Sequence, residues 1–152
     1  MSFFKISFSI SLIGGLILSS LNVGNAQTLD SLKDVLSRSN DPYVQAELNL
    51  KVGEILLNNK DSSAIGFLRK ASMLSSQERE PALEMKAHYL LFKYLKRKRR
   101  FHKAMVEIDN AITQARVFKD RKEESWFLYT KARALRKHGL SKQSISPYKE
   151  AL

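Results

Sequence analysis

The chain has 152 residues, with 26 Lys and Arg against 15 Asp and Glu, a formal net charge of +11 and no cysteine. Without cysteine there is no disulfide framework, no thiolate metal site, no cysteine nucleophile and no cysteine to carry a lipid. The basic balance points to an anionic partner: an acidic polypeptide, an anionic membrane surface or nucleic acid.

The first 26 residues differ in kind from the rest. Lys5 is a single early cation, Ile6 to Leu21 is nearly all apolar with its centre near Ile13 and Leu16, and Gly24 and Ala26 are small residues before Gln27. This is the pattern of a secretory signal cleaved after Ala26. An uncleaved anchor is the alternative, against which stand the small-residue exit and the lack of basic residues just after Leu21. Either form places the rest of the chain outside the cytoplasm, in the periplasm or at the cell surface, and makes nucleic acid the least expected partner. Cleavage leaves 126 residues with 25 Lys and Arg against 15 Asp and Glu, a size suited to one domain.

Apolar periodicity predicts helices over 28–38, 42–58, 61–76, 80–98, 101–118, 121–138 and 141–152, and no strand. The first carries Leu29, Leu32, Val35 and Leu36 on one face, as a short capping helix would. Asn40-Asp41-Pro42 reads as a helix start with an N-cap and a first-turn proline, and Pro81 marks another. Gly139 after Lys137 and His138 reads as a stop. Pro147 would interrupt the last helix unless that helix begins near Ser144 or Ser146.

Self-comparison at an offset of 40 residues brings three patterns into register: Ala64, Leu68, Ala71; Ala104, Ile108, Ala111; and Ser144, Tyr148, Ala151. Val52, Phe92 and Ala132 also align, as do Ile55, Leu95 and Leu135, and Leu48 with Leu128, where His88 is the exception. A small-large-small pattern on one helix face lets a second helix approach closely, so each repeat reads as an antiparallel helix pair whose apolar seam is completed by stacking on the next.

These residues resemble the tetratricopeptide repeat family, whose second helix carries small, bulky and small residues at the spacing of Ala104, Ile108 and Ala111. Phe101-His-Lys-Ala104 and Tyr148-Lys-Glu-Ala-Leu152 are especially similar to it. The resemblance covers residues 41–152 and implies an all-α fold, a right-handed α-α superhelix of antiparallel helix pairs. The domain plan is then a signal over 1–26, a cap over 27–40 and repeats over 41–80, 81–120 and 121–152, the last incomplete. Two features depart from the family: the period exceeds the usual length of about 34 residues, and no glycine follows the first-helix hydrophobe in repeats two and three. Lengthened helices are the expected explanation. With its signal and cap the chain looks like the exported N-terminal part of bacterial tetratricopeptide proteins, some of which continue into sensor kinases or regulators.

The chain stops at Leu152 inside the third second-helix, where the family has a further polar helix. The expectation is a partial chain, with Ile145, Tyr148 and Leu152 on an open edge; a frayed last helix or self-association through that edge is the alternative.

In the family the first helix of each pair lines the concave face. Carried over by register, that face comprises Asn49, Gly53 and Leu56; Lys86, Tyr89, Lys93, Lys96 and Arg97; and Trp126, Tyr129, Arg133, Arg136 and Lys137. Independently of the family, Tyr89, Lys93 and Lys96 share one helical stripe, as do Tyr129, Arg133 and Arg136. Such a face suits an extended acidic segment or a terminal carboxylate. The plainer reading is a solvated charged face, and the run Lys96-Arg-Lys-Arg-Arg100 reads as a solvated turn that could also touch anionic lipid or acidic polymer.

His88, His102 and His138 are scattered, no nucleophile and base can be placed together, and no phosphate loop or metal-ligand spacing occurs outside the signal. His88 reads as a packed side chain, and Glu78, Glu80, Glu123 and Glu124 as residues near helix starts. No cofactor or metal is called for. The expected function is a non-enzymatic, exported scaffold that binds an acidic protein or peptide. The alternative is the sensory or assembly part of a longer signal-transduction protein, with membrane contact only through a tether or the basic turn.

Overall fold

The computed structural model describes residues 25–152, and its side chains from residue 28 onward. Nearly all of the signal segment lies outside the described residues. Among the described residues there are seven helices and no strand: α1 (Asn25–Arg38), α2 (Pro42–Asn58), α3 (Ala64–Gln77), α4 (Pro81–Arg97), α5 (Phe101–Val117), α6 (Arg121–Lys137) and α7 (Ser141–Glu150). None of them is long and apolar enough to cross a membrane. Each helix packs on the next as antiparallel pairs, and α2 also approaches α4, the first helix of the following pair. This is an all-α, helical-repeat architecture.

The lengths explain the period. Helices α4, α5 and α6 each have 17 residues and are joined by three-residue links, so two helices and two links span the 40-residue offset. The links repeat one geometry. After α4 the backbone N–H of Arg99 donates to the Lys96 carbonyl at 3.1 Å and that of Arg100 to Leu95 at 2.9 Å, with Arg99 at φ 57°. The same paired bonds close α2, α3, α5 and α6 around Lys60, Arg79, Lys119 and Gly139, all at positive φ. This Schellman arrangement satisfies carbonyls that a helix end leaves open and turns the chain sharply back. Glycine takes the left-handed conformation freely at only one of these positions. At the others Lys or Arg bears a cost of about 1–2 kcal/mol.

Helix starts are fixed by side chains at two places. Asp41 accepts from the backbone N–H groups of Tyr43 at 2.9 Å and Val44 at 3.2 Å, with Pro42 in the first turn, and Asp120 accepts from Glu123 at 3.1 Å. Before α3, Asp61 accepts from the Ser63 N–H and hydroxyl, both at 2.8 Å, so the regular helix begins at Ala64 rather than at 61. The last helix keeps its expected start and accommodates Pro147, which does not interrupt it. That helix begins at Ser141 and holds Pro147 in its interior, with the proline ring buried where it packs on α6.

The repeat columns are the core. Ala64, Leu68, Ala71, Ala104, Ile108, Ala111 and Ser144 are buried, as are Val52, Phe92 and Ala132. Tyr148, at the bulky position of the last repeat, is half-buried and meets Tyr129 edge to face at 5.7 Å, while Ile145 and Leu152 are exposed. Gly53 shows why the columns need small residues. A Cβ placed there would lie 2.7 Å from Leu68 Cδ2 and 3.3 Å from the Leu68 backbone nitrogen, so α2 and α3 touch at van der Waals limits.

His88 departs from the leucines of its column because it is a polar tie. Its Nδ1 donates to Glu107 on α5 at 2.7 Å, and Nε2 faces Ser72 on α3 at 3.3 Å and Glu84 at 3.8 Å. Gln114 in turn donates to Glu84 at 3.1 Å, so the cluster is satisfied within three helices.

The two helical glycines should respond oppositely to alanine. Gly53→Ala forces a methyl into a crossing that cannot open, and should lower unfolding free energy by about 1–2 kcal/mol after its gain in helix propensity. Gly66 has nothing within 4 Å of the added Cβ, and Gly66→Ala should raise stability by about 0.5–1 kcal/mol. Urea midpoints of the two variants, read by circular dichroism, test the close α2–α3 approach; equal shifts would contradict it.

Candidate binding groove

α2 and α4 come close, but α4 and α6 are held further apart, and aromatic rings span the gap. Tyr89 on α4 meets Trp126 on α6 edge to face at 4.6 Å and lies 6.3 Å from Phe127; Trp126 and Phe127 are 5.1 Å apart. Bulky rings in place of small residues keep the two backbones from closing. The result is a hollow of about 630 Å³ whose rings are Tyr89, Phe92, Phe101, Trp126 and Tyr129 and whose cations are Lys96, Arg99, Arg133 and Lys137. One end is closed by Phe101 at the start of α5 and His138 after α6, perpendicular at 3.8 Å.

The electrostatics are one-sided. Ion pairs among the described residues lie elsewhere: Lys86 with Glu54 at 2.9 Å, Arg116 with Glu124 and Glu150 at 2.7 Å, and Lys131 with Asp109 at 2.5 Å. Among the described residues no carboxylate forms an ion pair with Lys93, Lys96, Arg133 or Lys137. Two of them face rings instead, with the Lys96 ammonium 4.8 Å from the Phe92 centroid and that of Lys93 5.6 Å from Tyr89. Burial first, and then the positive charges of Lys137, Arg133 and Lys93, hold the Lys96 ammonium below the ordinary lysine range. Burial likewise raises the Tyr89 hydroxyl above its usual value.

Of the face read from the sequence, Tyr89, Lys96, Trp126, Tyr129, Arg133 and Lys137 line this hollow, and Lys93 stands beside it over the Tyr89 ring. Arg136 is exposed without lining it. Lys86 is taken up by Glu54, and Arg97 donates to the Leu57 carbonyl at the end of α2, tying the first two pairs together. The first repeat requires a correction. Asn49, Gly53 and Leu56 are buried, and Asn49 donates to the Gln45 carbonyl at 2.7 Å, because α1, α3 and α4 all pack on α2 and leave these positions no open side.

The basic run also divides. Arg99 lines the hollow, Lys98 lies 5.8 Å from the Tyr94 ring, and Arg97 is spent on α2, so the run is only partly a solvated turn. Arg99, Phe92, Phe101 and His138 escaped the sequence reading, since three of them stand outside the first-helix stripes that identified the others. A second hollow of about 520 Å³ lies between α5, α6 and α7 over Met105, Leu135, Leu140 and Pro147, with the Asp109–Lys131 pair at its lip.

No protein-family model, no curated protein and no solved structure matches the chain. The groove's own chemistry therefore decides what it can hold. Among the described residues no group of three or more His, Cys, Asp or Glu is arranged to hold a metal ion. What the hollow offers is apolar ring surface beside unneutralised positive charge, which favours a ligand with both an apolar part and anionic groups.

Convergence of the cations can be read directly by NMR. Lys96 should titrate below the exposed lysines, and Lys137→Met or added salt should move it upward, because each removes repulsion of its charged form. Titration of Lys96 together with the other lysines, unmoved by Lys137→Met, would mean that the four cations do not converge.

Proposed function

We propose that the chain is a non-enzymatic repeat protein of tetratricopeptide type, exported from the cytoplasm, that holds an acidic stretch of another polypeptide between α4 and α6. The observation that carries this reading is the grouping of Lys96, Arg133 and Lys137 on the wall of one hollow, with Lys93 beside it and no carboxylate ion-paired with any of them among the described residues. Bringing like charges together is unfavourable, and an anionic ligand removes that penalty while gaining charge-assisted hydrogen bonds. The rings alongside add rigid contact area at low conformational cost. A groove between first helices of successive pairs is where a superhelix of this type presents its inner face.

Binding of an acidic, unstructured peptide, measured by calorimetry, tests the reading. Lys96→Met, Arg133→Met and Lys137→Met should each weaken it about tenfold, the loss of one charge-assisted contact of ~1.4 kcal/mol, and affinity should fall as salt rises. Replacing Lys98 and Arg100 in the turn should leave it nearly unchanged. If the turn substitutions abolish binding and the groove substitutions do not, attachment runs through the basic turn instead.

A further inference from the structure

The groove is not uniform along its length, and the asymmetry is the same on both helices. On α4 the ring Tyr89 precedes Lys96 by seven residues, and on α6 the ring Trp126 precedes Arg133 by seven and Lys137 by eleven. As first helices of successive antiparallel pairs, α4 and α6 run the same way. Their ring ends therefore lie together, at the Tyr89–Trp126 contact of 4.6 Å, and their cationic ends lie together, where Arg133 and Lys137 share the hollow with Lys96; Lys93 stands at the ring end, 5.6 Å from the Tyr89 centroid, and Phe101 and His138 close the cationic end. Arg99 joins the cationic end from the link after α4. At 1.5 Å per residue of helix, ring end and cationic end stand roughly 10–16 Å apart. An extended peptide covers that distance in about three to five residues.

We propose that the groove selects a peptide segment in which an aromatic side chain stands about three to five residues from a cluster of carboxylates. This rests on the reading of α4 and α6 as a peptide-binding face, and adds to it the composition and spacing of the ligand. The ring of the peptide packs on Trp126, which is 44% exposed, a large fraction for a side chain so apolar. The carboxylates accept hydrogen bonds from Lys96, Arg99, Arg133 and Lys137.

Two rival anionic ligands fit less well. Tyr89 and Trp126 meet edge to face, with an interplanar angle of 66°, so a planar base finds no parallel-faced slot between them and would stack on one exposed ring face alone. A uniformly charged sulfated polysaccharide would engage only the cationic end and leave the rings in water.

Trp126 is the chain's single tryptophan and stands in the groove, so its emission reports occupancy. The experiment compares glycine-serine peptides carrying three glutamates and one phenylalanine, with the phenylalanine adjacent to the acids, about four residues away, about ten residues away, or replaced by alanine. Binding is measured by calorimetry and by Trp126 emission. The expected result is tightest binding and the largest emission change at the intermediate spacing, with each other peptide weaker by about tenfold. Trp126→Ala, at an exposed position, should keep its helical circular dichroism and bind all four acidic peptides about equally in calorimetry.

Equal binding of all four by the unaltered protein overturns the spacing rule while leaving an acid-binding face intact. Failure of every acidic peptide to bind overturns both the rule and the functional reading beneath it. A sulfated oligosaccharide that shifts Trp126 emission and binds as tightly as the best peptide overturns the assignment to a peptide.

Discussion

Two α-helices can lie against each other at alanine or glycine distance only where the bulky side chains of one meet small residues of the other at the crossing. In this chain that requirement is met by Gly53 against Leu68, by Ala64 and Ala71 on α3, and by Ala104 and Ala111 on α5. Large residues from the next helix then fill the space alongside, which is why Val52, Phe92, Leu68 and Ile108 are fully buried. Close pairs also leave little distance for the chain to cover between them. Three-residue links suffice, provided the residue after each C-cap turns left-handed, and Arg79, Arg99 and Lys119 do so without being glycine. The groove arises where the rule is relaxed. Between α4 and α6 the contact positions carry Tyr89, Trp126 and Phe127, and the backbones stand apart.

Stacking also creates the charge cluster. A stripe of ring and cations on one helix is unremarkable, but two copies placed side by side become a patch in two dimensions. Tyr89 and Tyr129, Lys93 and Arg133, and Lys96 and Arg136 are equivalent positions one period apart. The twist between neighbours then decides which members face each other, and Arg133 and Lys137 rather than Arg136 converge on Lys96. The folded protein bears that repulsion with no internal carboxylate to relieve it.

Much of this was legible in the sequence. Offset comparison exposed the repeat, and periodicity with Pro42, Pro81 and Gly139 placed most helix ends within a residue or two, because each signal acts locally. Six of the groove residues follow from the first-helix face carried over by register, four of them also from the stripes on α4 and α6. What escaped depends on long-range packing. Asn49 and Gly53 stand where the later repeats carry Tyr89 and Tyr129, and Lys93 and Arg133, and they are buried because three helices surround α2. The left-handed links were invisible because Lys and Arg carry no signal for that conformation, and His88 looked like a gap in an apolar column until Glu107 and Ser72 were seen beside it. In the run from Lys96 to Arg100, five similar residues take different roles because consecutive positions near a helix end point in different directions.

The central claim is that ligand is held between α4 and α6, and the most direct test is amide chemical-shift mapping of the protein during titration with an acidic peptide that carries one aromatic residue. The largest changes should fall on Tyr89 to Arg99 and Trp126 to His138, with the indole N–H of Trp126 among them. Changes concentrated on α5 and α7 around Met105 and Pro147, or spread over the exposed lysines without focus, would contradict it.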